Sequence, residues 1–171
     1  ALEAPGGLHY RRIDEVMLRA AQALLQAGDA EARTGWKRRA QRKRRDAYRL
    51  LGRLVRAHPT SGYVGQALLA LGEALWRRGR TESAAVAFKK VLRGPWAASH
   101  ARAHLGLGRC LMAVNRPRRA LDQFLQAHRL SGGSAQRSDI REALFAAWAV
   151  TGTAADAHAL CLRATRSAPH R

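Results

Sequence analysis

The chain of 171 residues is 47% hydrophobic with 5 prolines, which excludes disorder of the whole chain and allows one domain with a sizeable core. Lys and Arg total 31 against 12 Asp and Glu, a formal charge of +19, so the chain is drawn to polyanions: nucleic acid, acidic proteins or anionic membrane surfaces. Alanine, leucine and arginine outweigh the β-branched residues, which favours helix and excludes a sheet protein, while two cysteines, Cys110 and Cys161, exclude a disulfide framework and no apolar run reaches the length of a membrane span.

Residues 1–8 (ALEAPGGL) lack periodicity and read as a flexible leader. The first residue is Ala1, consistent with removal of a signal peptide or a preceding domain. Ile13, Val16, Met17, Ala20, Leu24 and Ala27 recur at spacings of three and four, which predicts an amphipathic helix with that buried face, stopped near Gly28. A second helix is expected from after Asp29 to about Ala57, with Ala47, Leu50, Leu51, Leu54 and Val55 buried, and Pro59 ends it.

Within that helix lies a run, Lys37 to Arg45, with seven basic residues in nine: Lys37, Arg38, Arg39, Arg42, Lys43, Arg44 and Arg45. They cover every face of a helix, so the run is expected to project into solvent or against an acidic partner. Like charges one turn apart destabilise a helix, which favours a contact with a polyanion or acidic protein over a merely solvated surface. Residues 1–58 hold 14 basic and 6 acidic side chains, net +8, and residues 59–171 hold 17 and 6, net +11. The charge is therefore not a detachable tail.

From Gly62 onward the chain repeats itself. Gly72 recurs as Gly108, Leu75 as Leu111, Ala84 as Ala120 and Phe88 as Phe124, each pair 36 residues apart, and Gly79 is matched by Asn115 where a turn between two helices needs a left-handed residue. A weaker third unit follows in Leu144, Trp148, Gly152, Ala157, Cys161, Ala164 and Pro169, with Phe145 at the glycine position. These residues resemble the signature of the tetratricopeptide repeat family, strongly over 62–130 and more loosely over 47–169. The resemblance implies an all-α fold, a right-handed α-solenoid of antiparallel helix pairs, in which Gly72 and Ala84 allow close helix approach and Leu75 and Phe88 fill the space between units. The expected organisation is a leader (1–8), N-terminal helices with the basic run (9–58) and repeats (59–171), forming one structural domain overall. The segment Pro59-Thr60-Ser61-Gly62-Tyr63 resembles the subclass found in bacterial cell-envelope proteins.

In this family the first helix of each unit lines a concave groove. By position, that implies Gln66, Leu69, Glu73 and Trp76, then Arg102, Leu105, Arg109 and Met112, then Asp139, Glu142, Ala146 and Ala149. Trp76 is either a binding anchor or a packing residue between units. Arg102 and Arg109 either grip a partner's carboxylate or phosphate or pair with Asp139 and Glu142. His100 and His104, at i and i+4, have zinc-chelating spacing beside Cys110, yet no further ligand is evident, so no metal or other cofactor is expected. No nucleophile motif or phosphate loop occurs. The expected function is a non-catalytic scaffold binding a peptide or acidic protein surface, as a subunit of an envelope complex, with sequence-nonspecific nucleic-acid binding through the basic helix as the alternative. The compartment is left open by the sequence, the envelope subclass pointing to the periplasm.

Overall fold

Among the described residues, three hold the left-handed backbone that side chains rarely adopt: Gly35 at φ +86°, Gly79 at +72° and Asn115 at +54°. Each reverses the chain in the same way. The amide of the next residue donates back five positions, Trp36 N to Glu31 O at 2.9 Å, Arg80 N to Leu75 O at 3.0 Å and Arg116 N to Leu111 O at 2.9 Å, closing the helix end with its own carbonyls.

In the computed structural model these turns join α1 (Gly6–Arg33) to α2 (Lys37–Ala57), α3 (Val64–Arg77) to α4 (Thr81–Arg93) and α5 (Ala97–Ala113) to α6 (Pro117–Leu130), after which comes α7 (Ser134–Thr151). The structure describes residues 6–131 and 134–152, with side chains described over 12–131 and 137–152. Among the described residues every regular element is a helix, as the composition predicts. Of the weaker third unit, Ala157, Cys161, Ala164 and Pro169 lie outside them. The chain packs as two compact units, Ala1–Ala74 and Leu75–Arg171.

In unit 1, helix α1 packs along α2. Two expectations for this region are corrected. Helix α1 starts at Gly6, so the last residues of the expected leader are helical, and it continues through Gly28 to Arg33. The reversal falls at Gly35 instead. Gly28 stands seven residues before Gly35, as Gly72 stands before Gly79 and Gly108 before Asn115. A Cβ at Gly28 would lie 3.1 Å from the Ala40 carbonyl oxygen and 3.1 Å from Arg44 Cγ, so this glycine marks a helix crossing rather than a stop.

The buried stripe of α1 is also rotated by one residue from the predicted one. Asp14, Leu18, Ala21, Leu25 and Gly28 face inward, whereas Ile13, Val16 and Ala20 are exposed. On α2, Ala47, Leu51 and Leu54 are buried as expected, with Leu50 and Val55 half-buried. The Asp14 carboxylate, 3.6 Å from His58 Nδ1, and Glu15, which accepts from the Tyr63 hydroxyl at 3.2 Å, tie α1 to the corner between α2 and α3.

Unit 2 holds its core between α4, α5, α6 and α7. Phe88 and Phe124 are each 1% exposed, and burying such a ring is worth about 2–3 kcal/mol. Both rings seat against glycines of α5, Phe88 on Gly106 and Phe124 on Gly108. The small residues Ala84 and Ala120, five positions after each left-handed residue, are fully buried, and Ala40 takes the same place in unit 1.

Candidate protein-binding groove

The tail of α3 places Trp76 beside α5, where the guanidinium of Arg109 lies over the indole ring, 5.6 Å from its centroid. That is within the range of a cation–π contact, which holds both flat side chains in place. Arg109 makes no ion pair with Asp139 or Glu142, so of its two readings the pairing with α7 is not adopted.

Trp76, Arg109, Met112 and Ala113 form one side of an open groove of about 540 Å³. Phe124 reaches its floor from α6, and α7 supplies Asp139, Glu142, Ala143 and Ala146. The lining is apolar at the base, with a cation on one wall and two exposed carboxylates on the other. Such a surface suits a side chain or short segment that brings an apolar anchor and opposite charges at its flanks.

Of the residues expected to line a concave face, the structure brings together Trp76, Arg109, Met112, Asp139, Glu142 and Ala146. Leu69 and Leu105 are instead 2% and 6% exposed core residues. Arg102 and Ala149 are exposed outside this groove, and Gln66 and Glu73 belong to unit 1, exposed and half-buried respectively. Sequence position missed Ala113, Ala143 and Phe124. Phe124, the counterpart of Phe88, lies on the second helix of its pair, and its ring both packs in the core and reaches the groove.

The basic run behaves differently from a helix charged on every face. Arg44 donates to Asp29 at 2.7 Å and Lys43 reaches Glu31 at 2.6 Å, both carboxylates belonging to α1. Arg44 stands nine residues after Gly35, where Phe88 and Phe124 follow their own turns. Unit 1 thus replaces the aromatic-on-glycine contact by an ion pair laid over Gly28. Lys37, Arg38, Arg39, Arg42 and Arg45 are exposed, and Arg39 covers the Trp36 ring at 4.6 Å.

The two histidines with chelating spacing are engaged separately, His100 Nε2 with the Gly94 carbonyl at 3.1 Å and His104 Nδ1 with Gln123 Oε1 at 2.9 Å. Among the described residues no three His, Cys, Asp or Glu side chains gather as metal ligands. Cys110 is buried, and desolvation pushes its thiol from an ordinary 9.0 up to about 11. None of the described helices is long and apolar enough to cross a membrane.

Two-helix units closed by equivalent turns, with small residues at the crossings, define a helical-repeat protein. The tetratricopeptide repeat model matches residues 33–99 and again 69–135, two windows offset by the 36-residue period that together cover 103 of the 171 residues. The chain belongs to the tetratricopeptide repeat family. Searches of curated proteins and of solved structures find no match. The matched model describes the family as a whole and does not single out the envelope subclass.

Proposed function

We propose that this chain is a non-catalytic interaction scaffold whose second unit binds a peptide segment of a protein partner. The observation that carries this reading is the Trp76–Arg109 pair, held on one wall of an open apolar groove and faced by Asp139 and Glu142. Tryptophan and arginine fixed in this way are the residue types that dominate binding energy. The peptide would seat an apolar side chain over Met112 and Ala143, place an acidic group at Arg109 and a basic one toward α7. Family membership supports protein binding in general, since these repeats commonly mediate protein–protein interaction. The +19 charge of the chain is what supports an acidic partner, with Arg109 as the cation in the groove.

Selection of a random peptide library on the purified chain tests the reading. Selected peptides should lose at least about tenfold in affinity on Trp76→Ala, about 1.4 kcal/mol, and should weaken similarly on Arg109→Ala. Peptides that bind both variants as well as the parent would overturn it. The narrower setting, a subunit of a bacterial envelope complex, rests on the Pro59–Tyr63 segment. Fractionation of cells expressing the tagged full-length protein checks it, and recovery only in the cytosol would remove it.

A further inference from the structure

Opposite the buried face of α2 runs a ladder that extends well beyond the run at 37–45. Arg38, Arg42, Arg45, Arg49, Arg53 and Arg56 follow one another at spacings of four, three, four, four and three residues, and all six are exposed. The ladder occupies the back of the helix because Ala40, Ala47, Leu51 and Leu54 fill its front. It presents one guanidinium per turn, about every 5.4 Å, over about 27 Å of axis.

Little inside the molecule neutralises it. Asp46 pairs with Arg49 at 3.4 Å, and the other five ladder arginines have no carboxylate within 4.0 Å among the described residues. Like charges one turn apart repel. The two carboxylates of α1 nearest the run are spent on Lys43 and Arg44, which stand off the ladder.

From this we infer that the ladder binds the phosphate backbone of duplex nucleic acid without reading its sequence, a surface separate from the groove. Charge complementarity selects this occupant. A duplex carries about one phosphate per 1.7 Å of axis, enough to meet every guanidinium. Arginine's planar fork suits phosphate oxygens. A protein partner is disfavoured because, apart from Ala57 at its end, no apolar side chain of α2 is exposed. Interfaces need an apolar core, and exposed ion pairs alone hold weakly. Along the ladder no aromatic side chain is exposed to stack on single-stranded bases, and Trp36, exposed at the start of α2, has its ring covered by Arg39 at 4.6 Å.

Fluorescence anisotropy of the full chain with a labelled mixed-sequence duplex, at about 50 to 300 mM salt, tests the proposal. The logarithm of affinity should fall against the logarithm of salt with a slope of up to about 5, since each phosphate contacted contributes about 0.9. Combined Arg42→Gln, Arg45→Gln, Arg49→Gln and Arg53→Gln should lower that slope by about 3 to 4 and weaken binding at least tenfold at about 100 mM salt. The charge-matched control, Arg93→Gln, Arg116→Gln, Arg118→Gln and Arg119→Gln, should change affinity by no more than about threefold. Circular dichroism confirms that both variants keep their helices. Equal losses in the two variants would mean that net charge rather than the ladder binds. No duplex binding, binding only to vesicles containing phosphatidylserine, or tighter binding to the single strand would each overturn the proposal.

Discussion

Gly79 has nothing within 4 Å of the position a Cβ would take, yet its φ is +72°. A side chain there meets no neighbour, so its cost is conformational. Gly79→Ala should destabilise the protein by about 1–2 kcal/mol, measured by urea denaturation, and Gly79→Asn should cost less because Asn115 already holds the equivalent turn. Equal costs for the two would show that the left-handed backbone is not what selects the residue. Gly108 is the reverse case, since a Cβ there would press into the buried Phe124 ring. Gly108→Ala should cost about 1–3 kcal/mol by overpacking, while Gly62→Ala, with open space around it, should be near neutral. The Cys110 thiol is half ionised near 9 in the unfolded chain and near 11 in the fold, where burial desolvates it. The fold therefore binds this proton more tightly and loses stability as pH rises through that window. In a Cys161→Ser background, native protein at neutral pH should resist a thiol reagent, and prompt reaction would contradict the burial.

At the scale of elements, the same hairpin is built with two chemistries. Unit 2 sets Phe124 on Gly108, and unit 1 sets the stem of Arg44 over Gly28 with its guanidinium on Asp29. The two side chains of that pair are 22% and 30% exposed, so the attraction is partly screened. A double-mutant cycle with Arg44→Gln and Asp29→Asn should return a coupling of about 0.5–1 kcal/mol at low salt that shrinks as salt is raised. A coupling insensitive to salt would point to packing by the arginine stem instead. The corresponding Phe124→Ala should cost about 3–5 kcal/mol whatever the salt. This difference explains why the N-terminal hairpin is hard to recognise by its residues: the aromatic found as Phe88 and Phe124 is missing from it.

Across the whole molecule, +19 means that like charges repel in the compact state more than in the expanded one. The urea midpoint should therefore rise as sodium chloride is raised from about 20 to about 500 mM, because the Debye length falls to a few ångströms. A flat or falling midpoint would mean that the ion pairs of α1 with α2 outweigh the general repulsion. Addition of duplex nucleic acid at low salt should raise the midpoint of the parent chain and raise it less for the ladder variant.

The residues of the chain determined by themselves the helical class, the 36-residue period and the turns at Gly79 and Asn115. All of these follow from local backbone constraints: helix propensity, the left-handed φ and the spacing of small and aromatic residues along consecutive positions. Counting along the repeat helices also picks out Trp76, Arg109, Met112, Asp139, Glu142 and Ala146, which line the open cavity of unit 2, together with Leu69 and Leu105, which are core residues instead. Tertiary packing decided the rest. Only the approach of α2 shows that Gly28 is a crossing, that Leu18, Ala21 and Leu25 face inward instead of Ile13 and Val16, and that Asp29 and Glu31 take up Lys43 and Arg44. Adjacent stripes on an alanine- and leucine-rich helix are nearly alike in hydrophobicity, so the partner helix, distant in sequence, chooses which stripe is buried. The same choice sets Leu69 and Leu105 into the core and leaves the arginine ladder on the outside of α2.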